Sequence, residues 1–209
     1  MKFILYIILF CLACAANYSC NRTNTFASFE QLTKYINIPE NGLAKEKTVG
    51  DITFKLKYLP PDYLIYNHLD LTQTVNRQMI DSLGKLYKSS VTFLLSIGPD
   101  EQGNFDITKY GINNYEQFAK QLEQLCFSAR DWITIRDDKG NEFKPSIVHM
   151  ENINALEKYR NVIVVFDTGN YLADNFSFIF SDELFNTGIN KFYFKASDIN
   201  GIPKIILKT

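Results

Sequence analysis

Phe176-Ser177-Phe178-Ile179-Phe180-Ser181 sets three phenylalanines at a period of two, and Phe192 and Phe194 repeat the pattern between Lys191, Tyr193 and Lys195. Side chains on a strand point alternately to opposite faces, so this spacing predicts half-buried strands; a helix would scatter the rings around its circumference. Ile52, Phe54, Leu56 and Tyr58 alternate with Thr53, Lys55 and Lys57 in the same way, until Pro60-Pro61 withholds the ladder donors. Ile133 and Ile135 alternate with Trp132, Thr134 and Arg136, and Asp137 to Asn141 reads as a hairpin connection with Gly140 free to take a positive φ. Ser146 to Met150 is then expected as the return strand of that hairpin. Val91 to Ile97 is short enough for a buried strand. Val162 to Phe166, apolar on both faces, is expected to be central and covered on each side. Ile205 to Leu207 can close the set. Aromatic residues make up 14% of the chain, mostly Phe and Tyr, which favours a strand-rich core.

Helical spacing is confined to the first part of the chain. Ser28 stands three residues before Gln31, a capping-box spacing, and Phe29, Leu32 and Ile36 share a stripe, so a short helix is expected over Phe29 to Ile36. Val75, Met79, Ile80, Leu83, Leu86 and Tyr87 predict a second helix from about Thr74 to Lys88. Asn114, three residues before Gln117, opens a third, which turns Phe118, Leu122, Leu125, Cys126 and Ala129 to one side. Glu40 to Lys47 reads as a connecting loop around Asn41-Gly42, so the compact domain is expected to begin near Val49. The expected fold class is α+β, a largely antiparallel sheet or sandwich with a C-terminal meander and about three flanking helices. Residues 1–20 form a signal and lipidation region, 21–48 a tether and short helix, and 49–209 a single domain.

The first residues fix the compartment. Lys2 precedes an apolar run from Phe3 to Leu12, with small residues and cysteines following, which is the layout of a secretory signal. The run is well short of the roughly 20 apolar residues that span a bilayer. Ala13-Cys14-Ala15 fits a small-x-small cleavage site that would release a soluble secreted binding module. Leu12-Ala13-Cys14, and less well Tyr18-Ser19-Cys20, resemble the lipobox of bacterial lipoproteins. That resemblance implies lipidation of Cys14 or Cys20 as the first residue of the mature chain. It also implies a membrane anchor of palmitate type and a domain facing the periplasm or the cell surface.

Candidate chemistry is sparse. Val164-Val165-Phe166-Asp167-Thr168-Gly169 resembles the active-site strand and turn of aspartic proteases, which would make Asp167 half of a dyad; Asn186-Thr187-Gly188 carries an amide where the second acid would stand, and Asp, Thr and Gly also make turns. His68-Leu69-Asp70 with His149 resembles the two-His-one-carboxylate pattern of the 2-oxoglutarate-dependent oxygenases, which would make His68, Asp70 and His149 metal ligands and place Arg160 against a co-substrate carboxylate. Tyr58, Tyr63 and Tyr66 cluster around Pro60-Pro61 and form either a binding surface or the packing of a strand-to-helix corner. Cys126, on an apolar helix face, reads as a small buried residue. Serine-hydrolase elbows and phosphate-binding glycine loops are absent. A net charge of −1 without a basic run argues against nucleic acid as a partner. These readings converge on an exported, lipid-anchored envelope protein with a non-catalytic binding or structural role. Its partner would be another envelope protein or a glycan, with no cofactor. A metal-dependent enzyme built on His68, Asp70 and His149 is the competing class.

Overall fold

A computed structural model of the protein describes residues 25–69, 77–151, 157–169 and 174–205. Cys14, Cys20, Asp70, the start of the helix expected from Thr74, and Leu207 lie outside the described residues. In chain order the elements are β1 (Thr25–Phe26), α1 (Phe29–Asn37), β2 (Ala44–Val49), β3 (Ile52–Leu59), α2 (Pro61–His68), α3 (Arg77–Lys88) and β4 (Ser90–Pro99). There follow α4 (Tyr115–Glu123), a π turn (Gln124–Ser128), α5 (Ala129–Trp132), β5 (Ile133–Asp137), β6 (Glu142–Phe143) and β7 (Ile147–Met150). The chain closes with β8 (Arg160–Asp167), β9 (Phe176–Ser181), β10 (Ile189–Phe194), α6 (Ala196–Asn200) and β11 (Lys204–Ile205).

Nine of the eleven described strands form two antiparallel sheets, one of five strands in the order β2-β3-β4-β8-β7 and one of four in the order β10-β9-β5-β6. They pack face to face as a sandwich, and the alternating phenylalanines are what fills it. Phe54 meets Phe180 at 5.5 Å between ring centroids, and Phe93 on β4 stands within 6.1 Å of Phe166, Phe176, Phe178 and Phe194. Phe54, Phe93, Phe166, Phe178 and Phe194 are all fully buried. The fold is therefore α+β, built on antiparallel sheets with helices around them.

Register shows which end of each strand is which. Leu59, Ser90 and Asp167 come together at one end of the five-stranded sheet; Ile52, Pro99 and Arg160 come together at the other. The first end is helical. Phe29 of α1 lies 5.2 Å from Tyr63 and stacks on Tyr66 at 5.7 Å, both on α2, and α3 packs against α2 and runs into β4. The chain enters here: β1 directly precedes α1, and it pairs in parallel with β11. The second end carries turns instead: the β2–β3 hairpin, the 100–113 segment and the β9–β10 connection. The α4, π-turn and α5 segment lies against β7 and leads into β5, covering one open side of the sandwich.

Three expectations need correction. Residues 44–49 form a strand, β2, and not a loop. It pairs with β3 through a two-residue hairpin, and Leu32, Ile36 and Leu43 upstream of it are buried in the same core as the sandwich phenylalanines. Charged side chains on both faces hide it: Lys45 lies opposite Leu56 on the inner side, where its Nζ sits 5.7 Å from the Phe194 ring, while Glu46 faces out. Second, the return strand of the β5 hairpin is β6, and β7 crosses to the other sheet to pair with β8. Pro145 separates the two and has no N–H with which to continue the β6 ladder. Third, β8 is covered on its inner face only: Val162, Val164 and Phe166 are buried, whereas Ile163 and Val165 on the outer face are half-buried.

Candidate functional site

A cleft of about 470 Å³ opens at the turn end of the sandwich, lined by Val49 to Ile52, Tyr110, Gly111, Gln121 and Leu184 to Thr187. Each wall is held by a local device. The β2–β3 turn is Gly50-Asp51, with Gly50 at φ +58°, the left-handed position that a two-residue turn of the II′ kind gives to glycine. The β9–β10 connection is organised by one carboxylate. Asp182 accepts hydrogen bonds from the backbone N–H groups of Leu184 (2.8 Å), Phe185 (2.9 Å) and Thr187 (2.7 Å) and from the Thr187 hydroxyl (2.7 Å). Asn186, between them, takes φ +58°, a conformation that Asn tolerates better than most residues.

The third wall, around Tyr110, is pinned from behind. Gln121 of α4 is buried and donates through Nε2 to the carbonyls of Ile107 (3.2 Å) and Tyr110 (3.3 Å). Asp106 accepts from the Thr108 backbone at 3.0 Å and its hydroxyl at 2.9 Å, and the guanidinium of Arg160, only 4% exposed, meets the same carboxylate at 2.7 Å. Burial pushes the Asp106 carboxyl up, but the Thr108 and Arg160 hydrogen bonds together outweigh it and hold the group below the usual carboxylate range. Tyr110 packs on Phe105 at 5.1 Å and on Phe185 at 6.3 Å, joining this wall to the β9–β10 connection. Behind the cleft, Asn190 of β10 is completely buried; its Nδ2 donates to Thr187 Oγ1 at 3.0 Å and to the Gly188 carbonyl at 3.3 Å, and its Oδ1 has no hydrogen-bond partner.

The lining therefore offers hydroxyls, amides, two aromatic rings and the exposed carboxylate of Asp51, and among the described residues it contains no Lys, Arg or His. Such a set suits reversible holding of a polar ligand by hydrogen bonds and ring contact.

The residues singled out by sequence do not meet here. Tyr58 lies inside the sandwich edge-on to Phe93 at 5.8 Å, and burial followed by the nearby Asp62 charge pushes its hydroxyl up to about 12. Tyr63 and Tyr66 are half-buried against Phe29, so the three tyrosines pack the strand-to-helix corner and form no common surface. His68 is exposed in the last turn of α2, and His149 is exposed on the outer face of β7, opposite Ile163. Among the described residues no group of three His, Cys, Asp or Glu side chains comes together. Arg160, instead of awaiting a co-substrate, is engaged with Asp106 inside the protein. Asp167 is the exposed last residue of β8, the N–H groups of Thr168 and Gly169 both bond the Ser89 carbonyl, and Gly169 begins a turn. Cys126 is half-buried in the π turn, and burial raises its thiol pKa. Of the cleft residues, sequence reasoning weighed only Asn186 and Thr187 for chemistry, as a failed partner for Asp167.

No protein-family model and no curated protein matches the chain. Among solved structures it is similar to a protein of unknown function from Burkholderia pseudomallei, with 11% identity over 88% of this chain and 97% of that one and a TM-score of 0.36. It is also similar to a DUF4426 family protein from Pseudomonas aeruginosa, with 10% identity over 73% of this chain and 91% of that one and a TM-score of 0.33. Likeness at this level transfers neither a family nor an activity, so a function for this chain has to be argued from its own residues.

Proposed function

We propose that this protein is an exported, lipid-anchored domain of the cell envelope with a non-catalytic role, holding another envelope protein or a glycan in the cleft at its turn end. The observation that carries this reading is the opposition of the two ends. The chain enters the sandwich at Thr25 to Phe29 among the helices, and the cleft lies at the far end of the same strands. A domain held by its N-terminus would present that cleft away from the bilayer. The signal-like run from Phe3 to Leu12 and the cysteines at 14 and 20 supply the anchoring half of the reading. The uncharged hydrogen-bonding groups beside Tyr110 and Phe185 supply the binding half.

The test is intact mass and membrane fractionation of the protein from its native envelope, with Cys14→Ser and Cys20→Ser variants alongside. A mature chain that begins at one cysteine, carries acyl mass and leaves the membrane in that variant supports the anchor; an unmodified chain cut after Ala13, Ala15 or Ala16 overturns it. For the cleft, Asp51→Trp crowds the mouth from an exposed turn position and is expected to abolish crosslinking to the partner that the wild type captures. Unchanged crosslinking in that variant would move the binding surface elsewhere.

A further inference from the structure

We propose that α3 is a membrane-docking helix that lays its free apolar side on the lipid surface to which the chain is anchored. This rests on the anchored reading above. The helix is amphipathic, yet none of its apolar side chains is buried: Ile80, Leu83 and Tyr87 are half-buried, and Met79 and Leu86 are 46% and 62% exposed. At about 100° per residue, Met79, Leu83 and Leu86 fall within about 60° of one another. Gly84, the α3 residue that faces Ile65 of α2, sits roughly 130° around the helix from the middle of that arc. The helix is thus fastened to the domain by one side, and its apolar stripe points elsewhere. An amphipathic helix with an uncovered apolar stripe is suited to lying in the plane of a membrane interface.

The position of the chain entry selects a bilayer as the occupant. Thr25 lies five positions after Cys20 and eleven after Cys14. Even fully extended, these span no more than about 18 Å or about 40 Å. Phe29, four residues beyond Thr25, packs on Tyr63 and Tyr66 of α2, and α2 carries α3. An acyl group on Cys20 would therefore keep the helical end within about 18 Å of the lipid headgroups, and one on Cys14 within about 40 Å. Docking through Met79 and Leu86 would give the domain one orientation on its tether, with the cleft held outward.

Photo-crosslinking the full-length protein in its native membranes tests this, using a phospholipid with a diazirine in its acyl chain and mapping the labelled peptides by mass spectrometry. Label is expected on residues 77–88. Met79→Glu combined with Leu86→Glu should lower that label about tenfold by removing the buried apolar contact. Both positions are exposed, so the fold should tolerate the change. Phe127→Glu, which alters an 80% exposed aromatic beside the β7 edge, should leave the label unchanged. An acylated, membrane-bound protein with no label on 77–88 overturns the docking inference alone, as does equal label in the double variant. Crosslinks from 77–88 to a second copy or to another protein also overturn it. Absence of acyl mass on both Cys14 and Cys20 overturns the anchored reading and the docking inference with it.

Discussion

At the helical end of the sandwich the closing contacts are ring on ring, Phe29 stacked on Tyr66 and tilted against Tyr63, with Phe26 edge-on to Tyr35 at 5.4 Å. At the cleft end they are carboxylates and amides, each serving several partners: Asp182 gathers three backbone N–H groups and a hydroxyl, Asp106 gathers Thr108 and Arg160, and Gln121 ties two carbonyls. Apolar contact is non-directional, so it fastens elements while leaving their exact placement adaptable. Charge-assisted hydrogen bonds fix distance and angle, which is what a preformed recognition site needs. One fold thus uses adaptable closure where its chain enters and directional closure around the cleft.

The sharpest way to break that contrast is at Phe93, the ring on which Phe166, Phe176, Phe178 and Phe194 converge. Phe93→Ala should cost about 3–5 kcal/mol in chemical denaturation, because it empties a fully buried site in the middle of the sandwich. A loss below about 1 kcal/mol would mean the two sheets are not held through this ring.

Next in size is Asp106→Ala, expected to cost about 2–3 kcal/mol, since it takes the facing carboxylate away from a buried guanidinium. The pH dependence follows from the lowered folded-state pKa of Asp106. The contribution is fully present above the unfolded-state value near 3.8 and is lost as pH falls through the lower folded-state value. Asp106→Asn should therefore remove part of the stability lost below about pH 4, and an unchanged acid limb would contradict the assignment.

Asp182→Ala comes third, at about 1–2 kcal/mol, because some of the freed N–H groups can turn to water. Its signature is local. Hydrogen exchange should rise over residues 182–188 and stay unchanged in α1 and α2, whereas a uniform rise would erase the distinction between the ends. The smallest effect is at the caps, where Ser28→Ala on α1 and Asn114→Ala on α4 should each cost about 1 kcal/mol by removing a side-chain acceptor from the first helical turn. Comparable losses from both would indicate that the ends differ in how they close and not in how their helices start.

Much of the fold could be read from local pattern. The phenylalanine alternation, the Ser28 and Asn114 caps and the stop at Pro60 all act within a few residues, and the structure follows them. What escaped depends on partners distant in sequence. Nothing within residues 147–150 says that they pair with β8 and not with β5. The polar run at 44–49 becomes a strand only because β3 accepts it. The parity that buries Ile52, Phe54 and Leu56 also places Tyr58 inside, so its burial was legible, while the stacking of Tyr66 on Phe29 required knowing how α1 crosses α2. The cleft was the hardest to foresee. Its walls come from three turns and one helix, and a turn signal such as Gly50-Asp51 or Asn186-Thr187-Gly188 gives a local bend without saying what other bend it will face.

The inward lysines of β2 carry a last consequence. Lys45 and Lys47 point to the inner side of an edge strand, opposite Leu56 and Phe54, and Lys45 lies over the Phe194 ring. A second chain adding to that edge would have to continue the sheet across a row of charge it could not desolvate cheaply. Any surface that crowds many copies of this domain side by side would favour runaway strand pairing, and this edge resists it. Replacing both lysines with valine would lengthen the apolar inner face and leave the edge open to self-association.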